Sequence, residues 1–169
     1  MSKRALKKYL TDLKKKELEE QLMDLYTRFP VVKEYYDFIF NPKEDKMVQE
    51  AKAKISNEYF PLKRRRPKAR RSVAQKYIKH FIKLGVEPHL IAEVMMYNLE
   101  IAQSFSQDKN VPDAFYKSML NSFNEMVQFV SINALLPDFK ERIVKAYNIT
   151  QENNWSFQEG FSRALDILD

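Results

Sequence analysis

Cysteine is absent, and glycine occurs only at Gly85 and Gly160 in 169 residues. Without thiols there is no disulfide framework, no thiolate metal site and no cysteine nucleophile, a composition suited to a reducing compartment. Two glycines are too few for a Walker-type loop, a dinucleotide fingerprint or a nucleophile elbow, each of which needs glycine where the backbone turns sharply or approaches a phosphate. Histidine is almost as scarce, and His80 and His89 stand off the zincin spacing. No run approaches the roughly 18 apolar residues of a membrane span, and Met1-Ser2-Lys3-Arg4-Ala5-Leu6 opens on charge where a secretory leader has an apolar core. These absences predict a cytoplasmic protein, not membrane-bound, with no cofactor, no metal site and no recognisable catalytic set, and hence not an enzyme.

What the chain does have is bulk. Hydrophobic residues make up 44% and aromatics 13%, with 12 Phe and 9 Tyr, too much large apolar side chain for a disordered segment. Its length suits a single helical domain over 1–169. The seven prolines fall between apolar-periodic stretches and never inside one, as they do when they mark helix starts and loops. Between them the apolar spacing is three and four, as in Leu18, Leu22, Leu25 and Phe29 or Val48, Ala51, Ile55 and Tyr59, which stacks side chains on one helix face. Alternation of period two is nowhere sustained. The spacing predicts helices at about 3–11, 14–28, 31–40, 43–59, 73–84, 88–106, 112–135, 138–148 and 157–168. N-caps are expected at Asn41, Ser72 and Ser156, each with an acid or amide three residues on. The stretch from Leu90 to Ala102 is apolar on nearly every side, and Phe115, Met119, Phe123, Met126 and Val130 run along the next helix; these two should form the central layer. No internal repeat recurs, so the expected architecture is all-α, an irregular bundle or short superhelical array of antiparallel hairpins. Trp155 is expected to pack the last helix down.

Charge is the loudest signal. Seven of the nine residues 63–71 are basic and none is acidic, outweighing the chain's whole net charge of +6. The candidate binding set is Lys63, Arg64, Arg65, Arg66, Lys68, Arg70 and Arg71, in a loop about 61–71 between an N-terminal helical part, 3–60, and a C-terminal part, 72–169. Pro61, Pro67 and repulsion among the cations disfavour helix and keep such a segment extended. Arginine forks suit phosphate or carboxylate pairs better than lysine point charges, so the pattern points to an acidic macromolecule, nucleic acid first and an acidic protein second. Lys7, Lys8, Lys14, Lys15 and Lys16 would enlarge the patch if they fold beside it. The competing reading is a solubilising loop neutralised by carboxylates such as Glu44, Asp45, Glu50 and Glu58.

A second pattern lies in the apolar helix, where His89, Glu93, Glu100 and Ser104 recur at near-helical spacing and share one stripe. Buried carboxylates need a cation, a metal or a hydroxyl such as that of Tyr116. An enzyme would use Glu93 and Glu100 with His89, and the plainer alternative is a solvent edge or a set of structural hydrogen bonds. The aromatic groups Tyr35-Tyr36-Asp37-Phe38-Ile39-Phe40, Tyr59-Phe60 and Phe115-Tyr116 read as core, although Tyr59 and Phe60 adjoin the cationic run, where exposed rings would suit single-stranded nucleic acid.

Read in order, Lys33-Glu34-Tyr35-Tyr36-Asp37-Phe38 with Asn41-Pro42, Glu58-Tyr59-Phe60-Pro61, Asp113-Ala114-Phe115-Tyr116-Lys117-Ser118 and Phe139-Lys140-Glu141-Arg142 resemble a bacterial all-helical family of unknown function, over nearly the full length. The chain departs from it at Asn154-Trp155-Ser156-Phe157, where the family carries a glycine-flanked aromatic turn. The resemblance implies a helical cytoplasmic domain and brings no activity, cofactor or catalytic residue with it. The leading expectation is a non-enzymatic protein presenting the basic loop to an acidic partner. The alternative is an interaction scaffold or homo-oligomer joined through an exposed apolar helix face.

Overall fold

The computed structural model describes residues 2–62 and 65–166. These are all-α, with nine helices and no strand among them: α1 Lys3–Thr11, α2 Lys15–Arg28, α3 Pro30–Phe40, α4 Glu44–Tyr59, α5 Arg71–Leu84, α6 Pro88–Asp108, α7 Asp113–Ile132, α8 Leu136–Glu152 and α9 Gln158–Leu165. The chain divides into two compact units, Met1–Lys43 and Glu44–Asp169.

The N-terminal unit holds α1 to α3. Tyr26 donates to Asp37 at 2.8 Å and Lys33 reaches both, which ties α2 to α3, and Gln21 donates to the Tyr9 hydroxyl at 2.7 Å, which ties α2 to α1. None of the three helices has a buried residue.

In the larger unit α6 is the axis, packed against α4, α5, α7 and α8, while α9 lies on α7 and α8. Twelve of its side chains are buried, from Ile91 to Ser106, so the helix that is apolar on nearly every side is surrounded on nearly every side. Tyr59, Phe81, Phe123, Phe139 and Phe161 close the interior around it, each no more than 2% exposed. Trp155 is 8% exposed and lines one pocket with Gln158, Glu159, Gly160 and Arg163 of α9. Its indole lies against Tyr116 of α7, centroids 5.6 Å apart, and fixes the turn after α8. The clamp on α9 is Phe161 against Phe123 at 5.1 Å.

The expected N-caps are corrected. Asn41 closes α3 and does not open α4. Arg71 is drawn into the interior, so α5 starts before Ser72 with Arg70 at its N-cap. Ser156 donates to Asp113, leaving Phe157 to open α9. Side-chain caps come instead from Ser2, which accepts from Ala5, from Glu17, which accepts from the Lys14 amide, and from Glu87, which accepts from Leu90.

Three helices end alike. After α5, α7 and α8 the residue in left-handed conformation is Gly85, Ala134 or Asn154, and the amide beyond it returns to the carbonyl of Phe81, Val130 or Thr150. Each is a Schellman ending, satisfying carbonyls that the helix leaves open. Only at Gly85 is the strained conformation free of a Cβ, so Ala134→Gly should raise stability by about 1 kcal/mol and Gly85→Ala should lower it by about the same. Paired urea titrations check both signs.

Candidate functional site

The basic loop is anchored where it approaches α5. The Glu58 carbonyl, near the end of α4, accepts from the amides of Lys68 at 3.0 Å and Ala69 at 2.8 Å. Its carboxylate takes a two-pronged bond from Arg70, Nε at 2.8 Å and Nη2 at 2.7 Å, which holds the Glu58 carboxyl below its ordinary value. Arg71 turns inward and is 9% exposed. Its guanidinium donates to Ser122 Oγ at 2.7 Å, to Asn98 O at 3.0 Å and Oδ1 at 3.1 Å, to Tyr59 at 3.2 Å and to Ser118 at 3.4 Å, and it faces the Phe115 ring at 5.6 Å. No carboxylate among the described residues forms an ion pair with it. The cation is solvated by neutral dipoles drawn from α4, α6 and α7.

The candidate set therefore divides. Arg70 and Arg71 are structural anchors, whereas Arg65, Arg66 and Lys68 are exposed and form no ion pair within the described residues. Lys63 and Arg64 lie outside the described residues. Sequence reasoning missed how the loop continues. Ser72, Lys76, Lys79 and Lys83 on α5 are exposed at spacings of four, three and four, opposite the buried Ala74, Ile78 and Phe81, so the exposed edge of α5 carries a row of lysines onward from the loop. The pattern was available in the sequence, as lysines alternating with an apolar stripe, but was outshone by the denser run before it. Lys7, Lys8, Lys14, Lys15 and Lys16 are exposed on the N-terminal unit. Of the aromatic pair beside the loop, Tyr59 is buried against Phe105 and Phe115, and Phe60 is 46% exposed.

The polar stripe of α6 is a different object. Glu93 accepts from Lys52 of α4 at 3.1 Å and from Arg142 of α8, and Arg142 forks onto Glu100 with both bonds at 2.9 Å. Burial pushes the Glu93 carboxyl up, but the Lys52 hydrogen bond and the Arg142 charge outweigh it and hold the group below its ordinary value. The partners are cations, not Tyr116. His89 lies on Phe139, centroids 5.1 Å apart, and the Ser104 hydroxyl donates to the Glu100 carbonyl at 3.0 Å. A general base needs a carboxylate free to take a proton; these two are engaged by Arg142 and Lys52, and the arrangement pins α4, α6 and α8 together. Among the described residues no group of three His, Cys, Asp or Glu is placed to hold a metal ion, and no helix is long and apolar enough to cross a membrane.

No curated protein and no solved structure matches the chain. A model described as a family of unknown function, DUF6155, matches residues 1–169. With its whole length covered, the chain belongs to that family.

Proposed function

We propose that this is a non-enzymatic binding protein that grips a polyanion, nucleic acid first, along the exposed cations of the basic loop and the lysine edge of α5. The observation that carries the reading is the division within the loop. Glu58 is occupied by Arg70, so Arg65, Arg66 and Lys68 remain exposed on a segment whose far end is fixed to the larger unit. A fixed base means that little further ordering opposes binding. The lysines of α5 extend the line of charge, and phosphate contacts of this kind position a nucleic acid without reading its sequence. The exposed face of Phe60 offers one ring for an unpaired base. An acidic protein is the second candidate partner.

The test keeps Arg70 and Arg71, whose loss would disturb the fold. Fluorescence anisotropy with labelled single-stranded and duplex DNA, between about 50 and 200 mM salt, should give log affinity falling with log salt at a slope of roughly −3 to −6. Replacing Arg65, Arg66 and Lys68 by glutamine should lower affinity on the order of 100-fold and take about 2 to 3 off that slope, equally for all sequences. Lys76→Gln with Lys79→Gln should add to the loss. A salt-independent titration, or wild-type affinity in the triple variant, overturns the proposal.

A further inference from the structure

The N-terminal unit carries three helices and leaves none of their residues buried. Of the 17 large apolar side chains exposed among the described residues, 12 lie in it, from Leu6 to Phe40. A unit of about 40 residues does not enclose a core alone and ordinarily relies on disulfides, metals or association; the chain has no cysteine. The surface is patterned rather than scattered. Leu18, Leu22, Leu25 and Phe29 follow the four-three-four spacing of a helix seam, and all four are exposed, at 37 to 50%. Gln21 and Tyr26, on either side of that seam, make the ties to α1 and α3, so the half-covered seam lies between those two ties. Beside it, between α1 and α2, is a groove of about 660 Å³ with Tyr9, Leu13 and Leu25 as its apolar part and Glu17, Glu20 and Asp24 as its acidic part.

The complement to that surface is on the same unit. Helix α1 presents Leu6, Tyr9 and Leu10, exposed at 42, 48 and 37%, alongside Lys3, Arg4, Lys7 and Lys8. We propose that Met1–Lys43 pairs with its counterpart in a second copy of this chain, α1 of each protomer lying in the acidic apolar groove of the other. Two-fold pairing uses both complementary surfaces twice, as an isologous interface requires. The groove's carboxylates keep charge to offer, since among the described residues the ion pairs of Glu20 and Asp24 are with exposed neighbours on their own helix, Lys16 at 4.0 Å and Arg28 at 3.0 Å, and such pairs are weak. The exposed parts of the α1 stripe and the α2 seam amount to roughly 500 Å² per protomer, which with a charged rim approaches the ~800 Å² per partner of a standard interface. An anionic membrane, the other surface that a basic amphipathic helix suits, would be repelled by the neighbouring acids.

The experiment is sedimentation velocity on the full chain and on two charge-reversed variants that leave the Glu17 cap intact. One carries Glu20→Lys and Asp24→Lys, the other Lys3→Glu and Lys7→Glu. The wild type should be a dimer at about 100 µM, well above the micromolar Kd of a modest interface. Each variant alone should be shifted at least tenfold toward monomer. An equimolar mixture should regain the dimer, because each then offers the charge that the other lacks. Milder Glu20→Gln and Asp24→Gln changes, with helicity followed by circular dichroism, give the same direction if reversal unfolds the unit. A monomeric wild type overturns the proposal, and so does dimer formation by both variants alone, a mixture that fails to associate, or a monomer that sediments with anionic vesicles.

Discussion

Arg71→Leu should destabilise the larger unit by about 3 to 5 kcal/mol, a loss on the order of 10 °C in melting temperature. The size follows from what the side chain holds. Arg71 enters at the first turn of α5 and reaches Tyr59 of α4, Asn98 of α6 and Ser118 and Ser122 of α7 together. Leucine fills much of the volume, so cavity formation is not the main cost. The cost is the Asn98 carbonyl and amide oxygens and the Tyr59 hydroxyl, which lose a donor on residues that are each 1% exposed, at about 1 to 3 kcal/mol for each group left unmatched. Relief from burying a cation without a carboxylate works the other way and keeps the net below the sum of those losses. Arg71→Lys separates charge from geometry, since an ammonium keeps the first but cannot span Ser122 and Asn98 as a planar fork does, and it should fall between. Chemical denaturation of the three proteins measures this, and a leucine variant as stable as wild type would show that the acceptors find other partners.

The helices were legible in the sequence because their signals are local. Proline placement and spacing of three and four lie within a few residues, and they located the helices to within a turn at most ends, the expected end of α9 at 168 lying outside the described residues. The longest discrepancy, at the end of α8, came where Tyr147 to Gln151 carries no proline or glycine to stop it, and the helix runs on to the Asn154 turn. The caps were misread for the opposite reason. Ser72 looks like a cap only if Arg71 is taken as a loop cation, and whether that arginine faces water or Asn98 depends on a contact 27 residues away. The same holds for the candidate site. Residues 63–71 announce their charge, but the division into anchors and free cations is set by Glu58, Asn98 and Ser122, which composition cannot connect to them. For Glu93 and Glu100 the stripe was visible on one helix, while the cations that occupy it come from two others.

Those cations make the acid response of the fold predictable. With the folded Glu93 carboxyl below its ordinary value, the ionised form is favoured by folding. Its contribution is complete above the unfolded carboxylate pKa of about 4.3 and is lost as pH falls through the lower folded value. Glu58, depressed chiefly by the Arg70 hydrogen bond, adds in the same direction. Arg142→Met removes one partner of Glu93 and the fork on Glu100, while Lys52 stays. At pH 7 this should cost about 2 to 3 kcal/mol, less than for a fully buried pair because water reaches the edge of the cluster. Burial, the largest influence on Glu93, then meets less opposition, so its carboxyl rises and takes up a proton before the wild-type group does. Stability curves for wild type and Arg142→Met should therefore draw together as the pH falls through the folded Glu93 value, because the arginine has less left to pair with as that carboxyl takes up its proton. Glu93→Gln, which has no charge to lose, should show the flattest acid limb of the three. Parallel curves would mean that the pairing of Arg142 with Glu93 and Glu100 contributes nothing in solution.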